Sequence, residues 1–125
     1  MKKIVSTNNA PAAIGAYSQA VQCGGFIYLS GQIPLNPQTM TVEDGDVAAQ
    51  TVRVLENVKA VLQSVDLSLE NVVKCTIFLA DMNDFTAVNE VYATYFQQNP
   101  PARSCVEVAR LPRDVKVEIE CVAHT

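Results

Sequence analysis

Two periodicities divide the chain. Between residues 46 and 65, Val47, Thr51, Leu55, Val58, Leu62 and Val65 recur at steps of three and four. That spacing lays them on one face of a helix, with Gln50, Arg53, Asn57 and Gln63 outside it. Asp46 stands where an N-cap belongs. Near the C-terminus the period changes to two. Val115, Val117, Ile119 and Cys121 alternate with Lys116, Glu118 and Glu120. A strand with this pattern turns its apolar residues to one sheet face and Glu118 and Glu120 to the other. Residues 72–79 form a β-branched apolar run of strand length, and Phe26–Leu29 after Gly24-Gly25 form another. Gly31 closes that second run, where a glycine marks a bulge or a close backbone approach. A second helix carries Phe85, Val88, Tyr92 and Tyr95 on one face and ends by Asn99-Pro100-Pro101. Lys3-Ile4-Val5 is a short β-prone piece. Ser104–Ala109 is expected to pair with the last strand across Leu111-Pro112-Arg113-Asp114.

The resulting order is β-β-α-β-α-β-β, with room for one more early strand. It predicts an α+β layer in which two helices cover one face of a mixed sheet. Residues 1–125 read as one domain, because no repeat, linker or low-complexity tract interrupts them. The other sheet face then poses a problem. Phe26, Tyr28, Ile77, Leu79, Val106 and Val108 supply more apolar surface than a single layer should expose. Either a second subunit covers that face, or all six residues turn toward the helices.

Composition narrows the chemistry. Hydrophobic residues make up 49% of the chain and charged residues 18%, which suits an ordinary globular protein. Nine Lys and Arg against thirteen Asp and Glu give a net charge of -4, which supplies no steering toward phosphate backbones. Nucleic acid is therefore not an expected partner. The single histidine, His124, is next to last, which argues against a Ser-His-Asp triad and excludes a Cys2His2 zinc site. Cys23, Cys75, Cys105 and Cys121 form no CxxC pair and read as small apolar residues in a reducing compartment. No GxGxxG, P-loop, HExxH or EF-hand loop is present, so no cofactor and no metal are expected. No apolar run approaches the roughly 20 residues that span a bilayer. Ser6-Thr7-Asn8-Asn9 follows the Met1-Lys2-Lys3 start at once, leaving no signal-peptide core. The expected location is cytoplasmic, with no membrane contact.

Few residues remain as candidates. Arg103 follows Pro100-Pro101-Ala102, where rigid backbone leads into a strand. A guanidinium fork presented this way suits a planar carboxylate, although a surface ion pair would use the same residue. Glu118 would become an acid/base group if its face were covered, since burial raises a carboxyl pKa. Glu120 has the same pattern, so alternation does not choose between them. Tyr17 follows Gly15 and would either close over a ligand or sit half-buried. Cys105 lacks a histidine base and reads as structural rather than nucleophilic.

At these residues the chain resembles a known family. Ala10-Pro11-Ala12-Ala13-Ile14-Gly15, Ser30-Gly31-Gln32-Ile33-Pro34, Leu55-Glu56-Asn57-Val58-Lys59, Asn83-Asp84-Phe85 and Ala102–Pro112 recur in order. This set is similar to the RidA subgroup of the Rid family of reactive-intermediate deaminases, also labelled endoribonuclease L-PSP. The resemblance implies a chorismate-mutase-like α+β fold assembled as a homotrimer with sites between subunits. It implies cofactor-free hydrolysis of enamines and imines such as 2-aminoacrylate to 2-keto acids and ammonia. By position, Arg103 matches the arginine that grips the substrate carboxylate. Glu118 matches the carboxylate that positions or activates water. Tyr17, Ser30, Gly31, Asn89 and Cys105 match pocket-lining residues. The chain departs from the family at Gly15-Ala16-Tyr17, where Gly-Pro-Tyr is common, and in a shorter segment before Arg103. Two other classes stay open: a ribonuclease on single-stranded RNA, and a non-catalytic module that binds small metabolites.

Overall fold

The computed structural model describes residues 1–125. Its six strands are β1 (Lys3–Val5), β2 (Ala20–Cys23), β3 (Phe26–Gln32), β4 (Val72–Leu79), β5 (Ala102–Glu107) and β6 (Val117–His124). Its helices are α1 (Val47–Gln63) and α2 (Phe85–Tyr95). The strands form one sheet in the order β1-β2-β3-β6-β4-β5. All neighbours are antiparallel except β4 and β5, which run parallel across the α2 crossover.

Helix α1 forms where the 3.6-residue period predicts it. Asp46 Oδ1 accepts the Ala49 N–H at 2.9 Å, satisfying a first-turn donor. The apolar stripe Val47, Val54, Leu55, Val58, Val61 and Leu62 packs onto the sheet with almost no exposure. Two polar residues depart from expectation. Gln50 and Asn57 are buried rather than outside the apolar face. Both brace backbone that needs a partner: Gln50 Oε1 accepts the Lys116 N–H, and Asn57 Nδ2 donates to the Ile33 and Leu35 carbonyls. A buried carbonyl without a donor is costly, so a buried amide at these positions is worth more than an exposed one.

The last third departs from the expected hairpin. Residues 104–109 do not pair with the C-terminal strand. β6 lies in the sheet interior between β3 and β4, while β5 is the outer strand beyond β4. The inward residues of β6, Val117, Ile119, Cys121 and Ala123, are at most 3% exposed, and β6 is paired on both edges, with β3 and with β4. β5 is mostly exposed and carries Arg103, Ser104 and Glu107, the polar composition of an edge.

Both helices lie on one sheet face. α1 packs against β3 and β6 and against α2. Ile77 and Leu79 point to that face and are fully buried, contrary to the expectation that they add to the open one. Phe26, Tyr28 and Val106 remain 40–46% exposed, so the open face does carry apolar surface. Phe26 and Tyr28 lie near one another with ring centroids 6.2 Å apart, and Phe26 meets His124 edge-on. Cys75 and Cys121 are register partners on β4 and β6, both buried, with sulfurs 3.3 Å apart and no disulfide.

Candidate functional site

Two groups of polar residues emerge, each from a different local device. The first begins with a sheet irregularity. The β3–β6 register steps from Leu29↔Cys121 to Gln32↔Ile119, so Ser30 and Gly31 together oppose Glu120. This is a β-bulge, which re-aims side chains at a sheet margin. Ser30 is fixed there: its N–H donates to the Gln19 carbonyl and its hydroxyl to the Ser18 carbonyl at 2.6 Å. Gly31 lies directly beneath Glu118. A Cβ at position 31 would stand 2.9 Å from the Glu118 carboxyl carbon, so any larger residue would displace the carboxylate from where it stands. The Gly15 turn, at φ +116°, delivers Tyr17 to the same place. Tyr17 is half exposed, and its hydroxyl accepts the Ile14 N–H at 3.4 Å.

Tyr17, Ser30, Gly31, Glu118 and Glu120 line one cavity of about 720 Å³, with Ile33 and Leu35 on its apolar side. Glu118 is half-buried on β6. Burial pushes its carboxyl above the ordinary carboxylate range, and the nearby Glu120 charge adds to the shift. A carboxylate in this state accepts a proton more readily than a solvated one.

The second group surrounds Arg103. Its Nη1 donates to Asn89 Oδ1 of α2 at 2.7 Å. Its guanidinium carbon lies 5.4 Å from the Phe85 ring centre and 5.0 Å from that of Tyr92. Cys105 is two residues further along β5 and half-buried. Burial pushes its thiol pKa up, while the Arg103 charge pulls it down. Sequence reading placed Phe85 and Tyr92 on a core helix face and missed their contact with Arg103. The signal was partial: the i, i+4, i+7 spacing of Phe85, Asn89 and Tyr92 marks one stripe, but only the parallel β4–β5 pairing shows what it faces.

The structure therefore splits the expected site in two. Arg103 and Cys105 pair with Cys75 and Ile77 of β4, residues of the helix-covered face. Glu118 pairs with Phe78, and Phe78 also pairs with Val106 on the open face. Arg103 and Glu118 thus belong to opposite faces of one sheet, with β4 between their strands. Tyr17, Ser30 and Gly31 join Glu118, while Asn89 and Cys105 join Arg103.

These features define a class: a mixed six-strand sheet covered on one face by two helices, with its polar groups divided between two places on the chain. Residues 7–125 match the family described as endoribonuclease L-PSP. The chain belongs to that family, the Rid proteins, as its motifs suggested. It is 57% identical over 123 residues to a RutC family protein of Synechocystis, covering 97% of this chain and 95% of that one. It is 52% identical over 126 residues to the 2-iminobutanoate/2-iminopropanoate deaminase of Escherichia coli K12, covering 98% of each. The crystal structure of Escherichia coli TdcF with bound serine superposes with a TM-score of 0.94 at 48% identity, covering 98% of each chain. No helix is long and apolar enough to cross a membrane.

Proposed function

We propose that this protein is a homotrimeric, cofactor-free deaminase that hydrolyses 2-imino acids, and their enamine tautomers, to 2-keto acids and ammonia. The observation that carries this reading is the division of the site. Each chain holds a carboxylate-binding half at Arg103 and a water-handling half at Glu118, on opposite sheet faces. The Glu118 half lies on a face whose exposed apolar residues, Phe26, Tyr28 and Val106, need a cover. A second copy whose edge strand β5 packs on that face covers the apolar surface and brings its own Arg103 to the first copy's Glu118. Cyclic closure of this head-to-tail contact gives a ring, and three copies is the number that the resemblance implies.

The chemistry asked of such a site is modest. Arg103 holds the substrate carboxylate through the guanidinium donors not taken by Asn89. Glu118 takes a proton from water as the water oxygen attacks the imine carbon, then returns it to the departing nitrogen. As the carbinolamine so formed breaks its C–N bond, its hydroxyl proton also passes to the nitrogen, giving the keto acid and ammonia. The Ser30-Gly31 bulge offers fixed backbone dipoles that need no reorganisation during these steps. The name of the Escherichia coli relative supports this substrate class, and serine bound to TdcF is consistent with an amino-acid-sized carboxylate ligand.

The ribonuclease label of the family finds less support. Of the densest basic stretch, Arg110 is tied to Asp114 at 2.6 Å and Arg113 donates to the Met40 carbonyl. The open face presents Glu118 and Glu120 instead. The test is a coupled assay: a serine or threonine dehydratase generates the imine, and keto-acid release is followed with and without this protein. Faster release that is lost in Arg103→Lys supports the reading. An unchanged rate, together with cleavage of single-stranded RNA, would replace it with the ribonuclease.

A further inference from the structure

Arg103 has an unusual set of neighbours. It makes neither of the two salt bridges in the structure, which join Lys59 to Glu56 and Arg110 to Asp114. Its partners are a neutral amide and two aromatic rings, all from α2. Phe85, Asn89 and Tyr92 stand at i, i+4 and i+7, so one helical stripe supplies all three. The ring distances of 5.4 and 5.0 Å fall within cation–π range, about 6 Å. Holding an arginine with carboxylates would neutralise it. Holding it with π faces and one amide oxygen fixes its orientation and leaves its full positive charge for an anion. Only one of the five guanidinium donors is used, by Asn89.

We propose that Phe85 and Tyr92 are positioning residues of the carboxylate half-site, orienting the Arg103 fork so that its free donors face the ligand. This rests on the reading of Arg103 as the holder of a substrate carboxylate. The rings, not the polar tip, carry the role. Tyr92 Oη is the one buried side-chain polar atom without a hydrogen-bond partner, so it contributes nothing to holding Arg103. Phe85 is only partly buried, which makes it the safer position to change.

The test uses the full-length protein and four forms: wild type, Phe85→Leu, Phe85→Tyr and Tyr92→Phe. Calorimetry measures the binding of 2-ketobutyrate, and heteronuclear NMR follows the Arg103 Nε–H signal, assigned by its disappearance in Arg103→Lys. Phe85→Leu is expected to weaken 2-ketobutyrate about threefold to fivefold, the scale of one lost cation–π contact. It should raise KM by a similar factor with little change in kcat, since the contact acts alike on bound substrate and transition state. It should also remove the ring-current shift of the Arg103 signal in the ligand-free protein. Phe85→Tyr and Tyr92→Phe, which keep the rings, should bind as wild type. Wild-type affinity in Phe85→Leu, or equal weakening in Phe85→Tyr, overturns the proposal. If wild type itself binds no 2-ketobutyrate, the carboxylate reading falls separately. The Arg103 signal then decides the remaining point, and a signal unmoved in Phe85→Leu overturns the role of the rings.

Discussion

The two faces of the sheet are made by the same strands and the same alternation, yet they do different work. Along β6, Val117, Ile119, Cys121 and Ala123 are buried under the helices, while Glu118 and Val122 are half-buried and Glu120 and His124 are exposed on the other side. The covered face is apolar and complete within one chain except at its β5 margin, where Arg103 meets Asn89 of α2. The open face mixes aromatic residues, valines and two glutamates, and it leaves Phe26, Tyr28 and Val106 exposed. Folding stability therefore resides on the covered face, while in the proposed trimer the subunit contact and the Glu118 half of the site belong to the open one. Substitutions should separate along that line.

The sharpest contrast pairs Val106→Glu with Ile77→Ala. A charge at Val106 should dissociate the proposed trimer, about 41 kDa from three 13.6-kDa chains, and abolish turnover while the melting temperature stays near that of wild type. Light scattering and calorimetry check both halves of that statement. Ile77→Ala opens a cavity in the buried core and should cost about 2–5 kcal/mol of folding stability, yet whatever remains folded should still assemble and turn over. A stable, active Val106→Glu monomer would end the idea that the open face is an interface.

Within the divided site, the two halves should fail differently. Arg103→Lys keeps the charge but loses the fork, and turnover should fall on the order of a hundredfold with 2-keto acid affinity falling in parallel. Glu118→Gln keeps the shape but loses the proton acceptor. It should reduce turnover by a similar factor and leave 2-keto acid affinity within about twofold of wild type. Kinetics and calorimetry on both variants make the distinction. Normal turnover in Glu118→Gln would move the acid/base role to Glu120 or to water alone.

Gly31→Ala comes next. The added methyl overlaps the Glu118 carboxylate, so turnover should drop roughly tenfold through displacement of that group, with α-helix content unchanged by circular dichroism. The smallest effect concerns pH. Glu118 acts as a base only when ionised, and burial together with the Glu120 charge holds its pKa above the ordinary value. The acidic limb of the rate profile should therefore lie higher than an unperturbed carboxylate would place it. Glu120→Gln removes the negative neighbour, lowers the Glu118 pKa and should move that limb to lower pH. A limb moving upward would contradict the assignment.

Much of this was readable from the residues. The helix at 46–65, the strand at 72–79 and the inward set Val117, Ile119 and Cys121 all follow from periodicity, because each element is long and cleanly patterned. Gly31 announced its bulge because a glycine closing an apolar run has few other reasons to be there. The pairing of β5 was not readable. A four-residue turn between two β-prone runs looks like a hairpin, and nothing local shows that β6 instead fills the centre of the sheet. That error would have set Arg103 and Glu118 on neighbouring strands. The burial of Gln50 and Asn57 was also hidden, since their partners are backbone groups 66 and 22 residues away.

Mixing subunits tests the divided site most directly. Arg103→Lys and Glu118→Gln proteins, each nearly inactive, are dissociated together and reassembled in equal amounts. If every site takes Arg103 from one chain and Glu118 from another, random trimers contain intact sites at about one interface in four, and about a quarter of wild-type turnover should return. If both residues act from the same chain, no mixed trimer holds an intact site. Turnover no greater than the average of the two parents, in trimers shown to be mixed, would contradict the account.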